Sequence, residues 1–184
     1  MSYESIALNT ELPSDVIDSI SNSLLAQEKD LKNSEVVNPA AGKKVRNSKN
    51  LWIPESNWIA GFCSHYVNLA NRDNYHYDLH KFAAGQMQYT VYEEGDYYDW
   101  HIDLAPPEQN GDIRKLSFSL QLSDEDEYEG GELDVLGQGR KMHTCPKKKG
   151  VIIFFYSHAL HRVRKVKSGT RRSIVGWVTG PAWK

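Results

Sequence analysis

From Tyr75 onward, the chain consists of short aromatic and β-branched runs that are separated by Gly, Asp, Asn and Lys turns. This texture constrains the fold more than any other feature, because short apolar runs at regular spacing are typical of an all-β sandwich or barrel. The runs predict strands at residues 76–82, 85–92, 98–104, 114–123, 131–136, 151–156, 160–166 and 171–179. We therefore expect a mainly β protein with the architecture of a double-sheet jelly roll.

The residues before Tyr75 predict two helices that brace one of the sheets. A short strand at 5–8 precedes the segment PSDVIDSISNSLLAQ, in which Ser14 is the expected helix cap. The segment PESNWIAGFCSHYVNLANRDN predicts the second helix. The apolar stripes of the two helices are Val16, Ile17, Ile20, Leu24 and Leu25 in the first and Trp58, Phe62, Tyr66 and Leu69 in the second.

Between the two helices, residues 30–41 are polar and irregular, and KKVRNSKNLWIP ends in a predicted strand. A chain of 184 residues fits one domain with a core large enough to hold a cleft. We expect a single domain over 1–184, with a helical lead-in at about 1–74 and a β core at about 75–184.

Composition excludes several classes of protein. The formal charge of −2 gives no general attraction to nucleic acid. The longest apolar run, VIIFFY at 151–156, is too short to cross a bilayer. The start of the chain, MSYESIALNTELP, lacks the order of a signal peptide, and Cys63 and Cys145 share no metal-ligand spacing. We expect a cytoplasmic protein with free thiols that binds neither membrane nor nucleic acid.

The segment YEEGDYYDWHID carries His101 and Asp103 two positions apart. Residues i and i+2 of a strand share a face, so these two side chains form half of a metal site. His161, which begins a later predicted strand, supplies a third ligand. Two imidazoles and one carboxylate form a facial triad that leaves iron positions open for a chelating cosubstrate and oxygen. Zinc accepts the same ligands.

A pair of arginines lies within SGTRRSIVGWV, ten residues after His161. The planar fork of a buried Arg171 suits the far carboxylate of a dicarboxylate chelator, because it forms two charge-assisted hydrogen bonds. Arg172 points to the opposite face of the strand and is expected to be solvated.

These residues, together with Tyr92 before the Gly95 turn and with the run Gly130-Gly131-Glu132-Leu133, resemble the Fe(II)/2-oxoglutarate dioxygenases of the prolyl 4-hydroxylase type. The resemblance extends from about Tyr89 to Trp177. KKVRNSKNLW is also similar to the lead-in of the prolyl and lysyl hydroxylase-domain branch. The resemblance implies a double-stranded β-helix, in agreement with the predicted jelly roll.

The resemblance also implies roles for the site residues. Fe(II) would be held by His101, Asp103 and His161. The far carboxylate of 2-oxoglutarate would bind Arg171, and Tyr92 would donate a hydrogen bond near the chelating end. His158 competes with His161 within SHALH, but the family spacing to Arg171 favours His161 and places His158 in the turn.

Ser119, Gln121 and Ser173 are further candidate cosubstrate contacts. In the strand LSFSLQLS, the Leu and Phe side chains occupy one face, and Ser117, Ser119 and Gln121 occupy the other, which should face into the barrel. The resemblance implies a cosubstrate contact from Gln121 or Ser119, with Ser173 in a similar role. Tyr98 is the best aromatic candidate for the substrate cleft, whereas Trp100 has two readings, as part of the cleft wall or as packing between sheet and helices.

The activity implied is hydroxylation of a prolyl residue in a peptide or protein, with dioxygen as the oxidant, conversion of 2-oxoglutarate to succinate, and ascorbate as a candidate reductant. A free amino acid or another small molecule is an alternative substrate. A non-catalytic metal-binding barrel is the alternative from another class. Nucleic-acid demethylation is disfavoured, because relatives with that activity carry an arginine where this chain has Trp177.

Overall fold

The computed structural model describes residues 5–10, 13–38, 43–137, 139 and 141–183. Helix α1 spans Ser14–Leu25 and helix α2 spans Trp58–Ala70. The strands are β1 (Ser5–Asn9), β2 (Lys32–Asn38), β3 (Lys43–Pro54), β4 (Lys81–Phe82), β5 (Gln86–Tyr92), β6 (Tyr97–His101), β7 (Ile113–Gln121), β8 (Tyr128–Gly130), β9 (Leu133–Leu136), β10 (Met142–Thr144), β11 (Val151–Tyr156), β12 (His161–Val163), β13 (Val166–Gly169) and β14 (Arg171–Gly180).

Hydrogen bonds join twelve strands into one antiparallel system in which ten follow the order β1-β11-β7-β14-β5-β3-β6-β12-β9-β10, with β2 on β3 and β4 on β14. Strands β8 and β13 form a separate pair. Strand β3 links the two halves, because Lys49–Pro54 pairs with β5 while Arg46 and Asn47 pair with β6. The result is the double-stranded β-helix, and the predicted mainly β jelly roll is confirmed.

The helices cover one face of this fold, as predicted. Ile20 of α1 and Cys63 of α2 are fully buried in one cluster with Leu120 of β7. A second cluster, which includes Val135 and Phe155, lies between the strands that carry the site described below. The alternation of β7 explains the division, because its Leu and Phe side chains enter the helix-facing core while its serines face the other way.

Two details of the helices were predicted wrongly. Ser14 is the first helical residue and Pro13 takes the cap position, without any side-chain hydrogen bond. Proline before the first turn costs nothing there, since the amide groups of that turn have no helical partner. In α2, Trp58 is 56% exposed, and the buried stripe contains Ile59, Cys63 and Tyr66. Asn57 caps this helix by accepting from the Ile59 amide at 3.0 Å.

The strand boundaries differ from the prediction where polar residues obtain partners from elsewhere in the chain. The segment predicted to be irregular contains β2, which pairs along β3 in a hairpin. The strand predicted at 76–82 is reduced to Lys81–Phe82, and the strand predicted at 160–166 is β12 followed by the separate β13. Strands β8 and β10 were not predicted, and β6 ends at His101, two residues before Asp103.

Cys63 and Cys145 are free and buried, as expected. Within the described ranges, none of the helices combines the length and the apolar character that a membrane span requires.

Candidate metal centre and its pocket

The pairing of β6 with β12 brings the predicted ligands together. His101 ends β6 and His161 begins β12, and the two residues lie directly opposite each other in the antiparallel register. Asp103 follows β6, and its backbone amide donates to the Ser157 carbonyl at 2.8 Å. One ligand atom from each of His101, Asp103 and His161 lies within 4.8 Å of the other two. These three residues form a group that can hold one metal ion.

Both imidazole rings are held in the orientation that a metal site needs. Nδ1 of His101 lies 2.8 Å from the Asp99 carbonyl, and Nδ1 of His161 lies 3.0 Å from the Ala159 carbonyl. A carbonyl can only accept, so Nδ1 carries the proton and Nε2 presents its lone pair. The Nε2 atoms of His101 and His161 lie 3.7 and 3.5 Å from the nearest oxygens of the Asp103 carboxylate.

The electrostatic environment keeps His101 neutral. Burial, and then the neighbouring His161 ring, lower the pKa of His101 to about 4. A neutral imidazole is the form that coordinates a divalent ion. Two imidazoles whose Nδ1 atoms are already bonded, together with one carboxylate, therefore fit Fe(II), and the donor set also suits zinc.

Ser117 supports Asp103 from within the fold. Its hydroxyl donates to Oδ2 of Asp103 at 2.8 Å and lies 3.0 Å from the hydroxyl of Ser157. Ser117 is one of the serines that the alternation of β7 placed on the inward face, but the sequence did not indicate its partner. Such hydrogen bonds orient a ligand carboxylate.

We predict that Ser117→Ala lowers Fe(II) affinity by about ten- to hundredfold, because loss of an orienting hydrogen bond to a ligand typically has an effect of that size. Anaerobic Fe(II) titration measures the change. Ser123→Ala is the matched control, since the hydroxyl of this buried serine bonds the Thr170 carbonyl instead. Equal Fe(II) affinities for the two variants would contradict the role of Ser117.

Arg171 is fully buried at the start of β14. Its Nη1 donates to the Ser173 hydroxyl and its Nη2 to the Gln121 side-chain oxygen, both at 3.0 Å. Gln121 donates in turn to the hydroxyl of Ser119 at 3.0 Å. The three polar residues that were predicted as cosubstrate contacts, Ser119, Gln121 and Ser173, therefore lie together near Arg171. Two of them, Gln121 and Ser173, form hydrogen bonds directly with its guanidinium.

One cavity connects the metal group with Arg171. Tyr92 and Ser119 line it together with the three ligands and Arg171. Tyr92 lies opposite Arg171 in the register of β5 with β14, and its ring centroid is 5.5 Å from the guanidinium carbon. Burial raises the pKa of Tyr92, so its hydroxyl remains a hydrogen-bond donor.

The sequence also contained a signal for two lining residues that were missed. Gln88 and Thr90 share a face with Tyr92 at i and i+2 along β5, and both are buried in the cavity wall. Arg46 and Trp177 line the cavity as well, and Arg114 lines an adjoining outer cleft, but only the pairing of distant strands places them there.

A bulge in β6 turns Tyr98 into the pocket. His161 pairs with His101 and Val163 with Tyr98, so two steps of β12 match three steps of β6. The ring of Tyr98 consequently stacks on His101, with centroids 3.4 Å apart. Trp100 was expected in the cleft wall or between sheet and helices, but it packs under the guanidinium of Arg162 at 4.6 Å.

His158 and Arg172 were predicted to lie outside the site. His158 is exposed and stacks on Tyr156 at 5.3 Å, away from the ligand group. Arg172 does point to the opposite face from Arg171, but it is not simply solvated. Its Nε donates to the Glu28 carboxylate at 2.8 Å and ties the segment that follows α1 to the sheet.

Several solved structures share the fold of this chain. The chain superposes on a prolyl-4-hydroxylase of Pseudomonas putida with a TM-score of 0.75 and 19% identity, covering 98% of this chain and 94% of that one. It superposes on a prolyl hydroxylase of Trichoplax adhaerens, in complex with a hypoxia inducible factor peptide fragment, with a TM-score of 0.74 and 17% identity, covering 95% and 83%.

Sequence comparison identifies the family. A PKHD-type hydroxylase of Synechococcus sp. (strain CC9902) is 47% identical over 87 residues, which are 47% of this chain and 37% of that protein. The matched segment thus spans little more than a third of that relative. The model of the 2OG-Fe(II) oxygenase superfamily matches residues 87–179, about half of the chain, including the three candidate ligands and Arg171. The chain therefore belongs to the 2OG-Fe(II) oxygenase superfamily.

Proposed function

We propose that this chain catalyses Fe(II)- and 2-oxoglutarate-dependent hydroxylation of a prolyl residue in a peptide or protein. The observation that carries the proposal is one cavity that is lined by both a His-Asp-His group and a buried arginine. The fold of prolyl hydroxylases around this cavity and the similarity to a PKHD-type hydroxylase support it.

Some residues of the site would bind the metal and the cosubstrate, and others hold those binding residues in position. His101, Asp103 and His161 would hold Fe(II), and Arg171 would bind the far carboxylate of 2-oxoglutarate with two parallel hydrogen bonds. Gln121 and Ser173 hold the guanidinium in place. Tyr92 and Ser119 would offer hydrogen bonds to the cosubstrate from the cavity wall. When bound, Fe(II) and 2-oxoglutarate would supply the electrons that activate dioxygen, which is the oxidant.

The substrate would enter over Tyr98. This ring covers one face of His101 and also lines an outer cleft of about 490 Å³ that opens from the cavity. An aromatic wall beside an open cleft suits the pyrrolidine ring of a proline within an extended peptide. The Trichoplax prolyl hydroxylase was solved with a peptide fragment, which favours a peptide over a free amino acid for this chain as well.

The test measures succinate and the mass of the substrate in parallel. With Fe(II), 2-oxoglutarate and ascorbate, we expect proline-containing peptides to stimulate succinate formation and to gain one oxygen on proline, and free proline and free lysine to do neither. Turnover stimulated only by a free amino acid would exclude the peptidyl substrate. If no succinate forms, either with any of these substrates or without a substrate, the oxygenase activity is excluded and a non-catalytic barrel remains.

A further inference from the structure

Arg46 is a second buried arginine at the pocket, and the roles proposed above do not use it. It lies on β3 opposite Tyr98 of β6, and it is 8% exposed. Its guanidinium carbon lies 4.9 Å from the centroid of the Tyr98 ring, which in turn stacks on His101. A permanent positive charge therefore lies one aromatic ring away from a candidate metal ligand.

The hydrogen bonds of Arg46 leave its charge uncompensated. Nε donates to the Ser48 hydroxyl at 2.9 Å, and Nη2 donates to the side-chain oxygens of Gln88 at 2.7 Å and Asn50 at 3.2 Å. All three acceptors are neutral, and Nη1 has no hydrogen-bond partner among the described residues. Burial of a charge is costly unless an opposite charge accompanies it. Arg171 also has only neutral partners, and there the cosubstrate carboxylate supplies the missing anion.

Arg46 lies where the inner cavity meets the outer cleft, since both spaces are lined by Arg46, Tyr98 and Asp103. The outer cleft also carries the cations Lys32 and Arg114. Asp103 is the sole acid in the part of its lining that the structure describes, and a bound metal would neutralise that carboxylate. The cleft is therefore positive beyond the metal group, in a chain whose net charge is −2.

Apolar side chains at the same mouth define the other half of the ligand. Trp52, Ile102 and Leu104 are 48, 45 and 52% exposed, and all three line the outer cleft. Exposed apolar groups beside a buried arginine match a ligand that has an apolar body and a carboxylate.

We propose that Arg46 binds a carboxylate of the oxygen-accepting substrate, close to the carbon that is oxidised. This inference rests on the proposed function, in which 2-oxoglutarate places one carboxylate on the metal and the other on Arg171. The substrate carboxylate has two chemical sources, the side chain of an acidic residue beside the proline or the α-carboxylate of a free amino acid. Arg46 would thus select substrates by their carboxylate charge, in addition to the selection that the shape of the cleft provides.

The first experiment measures binding without turnover. Calorimetry on the anaerobic protein with Fe(II) and 2-oxoglutarate compares proline peptides that carry Asp at each position flanking the proline with peptides that carry Asn instead. Free proline is compared with prolinamide in the same way. We expect one Asp position, or free proline, to bind roughly tenfold to a hundredfold more tightly than its neutral counterpart, as a charged hydrogen bond requires.

The second experiment repeats the comparison of charged and neutral ligands with variants of the protein. Arg46→Gln should bind the charged and neutral ligands equally, and Arg46→Lys should keep part of the preference. Arg72→Gln is the control, because this arginine is on the surface, with 70% of its side chain exposed, and should keep the full preference. If Arg46→Gln does not fold, Arg46→Lys decides the matter, because a lysine without the planar fork should show a weaker charge preference than the wild-type protein.

Two results would overturn the inference. One is equal binding of every charged and neutral pair by the wild-type protein. The other is an Arg46→Gln variant that keeps the charge preference while its need for 2-oxoglutarate rises, which would assign Arg46 to the cosubstrate. Failure of the proposed function is distinguishable, because it would abolish succinate production or confine it to free amino acids, whereas anaerobic binding of the substrate carboxylate does not depend on turnover.

Discussion

His161→Ala is expected to abolish both Fe(II) binding and succinate production. His161 is 4% exposed, and its Nε2 atom lies 3.5 Å from the Asp103 carboxylate. Removal of this imidazole leaves His101 and Asp103, and two ligands cannot form the facial triad. Because loss of a residue that merely orients a ligand costs ten- to hundredfold, loss of the ligand itself should lower Fe(II) affinity by more than about a hundredfold.

His158→Ala is the matched control, since it removes a second histidine from the same SHALH segment. His158 is exposed and stacks on Tyr156, so its removal should leave Fe(II) binding close to that of the wild-type protein. Anaerobic Fe(II) titration and succinate assays measure both variants, and thermal melting shows that each is folded. The opposite pattern, with His161→Ala active and His158→Ala inactive, would mean that the distal ligand is misassigned.

Arg171→Met is expected to raise the dissociation constant for 2-oxoglutarate by roughly thirtyfold or more. Truncation of one partner of a buried, hydrogen-bonded charge pair costs about 2–5 kcal/mol, and every 1.4 kcal/mol is about tenfold. Fe(II) binding without the cosubstrate should persist, because Arg171 is not one of the three candidate ligands. Calorimetric titration of the anaerobic Fe(II) protein with 2-oxoglutarate measures the effect.

Arg172→Met controls for the loss of a neighbouring charge. Its guanidinium pairs with Glu28 on the other face of the sheet, so we expect unchanged 2-oxoglutarate affinity and a lower melting temperature. Arg171→Lys keeps the charge but not the planar fork, and its affinity should fall between those of Met and Arg. If Arg171→Met bound 2-oxoglutarate as well as Arg172→Met does, the far carboxylate would have another partner.

Local patterns predicted the parts of the site that belong to single strands. Alternation along β7 put Ser117, Ser119 and Gln121 on the inward face, and the i, i+2 spacing paired His101 with Asp103, although β6 itself ends at His101. The same rule applied to β5 would have identified Gln88 and Thr90. These predictions succeeded because the direction of side chains within a strand depends only on the pleat of its own backbone.

The prediction of strand positions was less accurate at the edges. Residues 30–41 looked irregular because they are polar, yet β2 forms there by pairing with β3 along an exposed hairpin. A polar segment becomes a strand when a neighbouring backbone offers hydrogen bonds, and this depends on distant parts of the chain rather than on local apolar spacing. The strand predicted at 76–82 shortened to two residues for the same reason, since in this segment Lys81 and Phe82 are the residues in ladder register with β14.

The sequence by itself determined the mainly β fold, the inward face of β7 and the candidate ligands of the metal. Only the tertiary structure decided how these faces meet. A bulge in β6 turned Tyr98 onto His101, the pairing of β3 with β6 brought Arg46 beside that ring, and Ser117 met Asp103 across the barrel. The physical reason is that pleat and periodicity act within one strand, whereas register, bulges and charge burial depend on strands that are far apart in the chain.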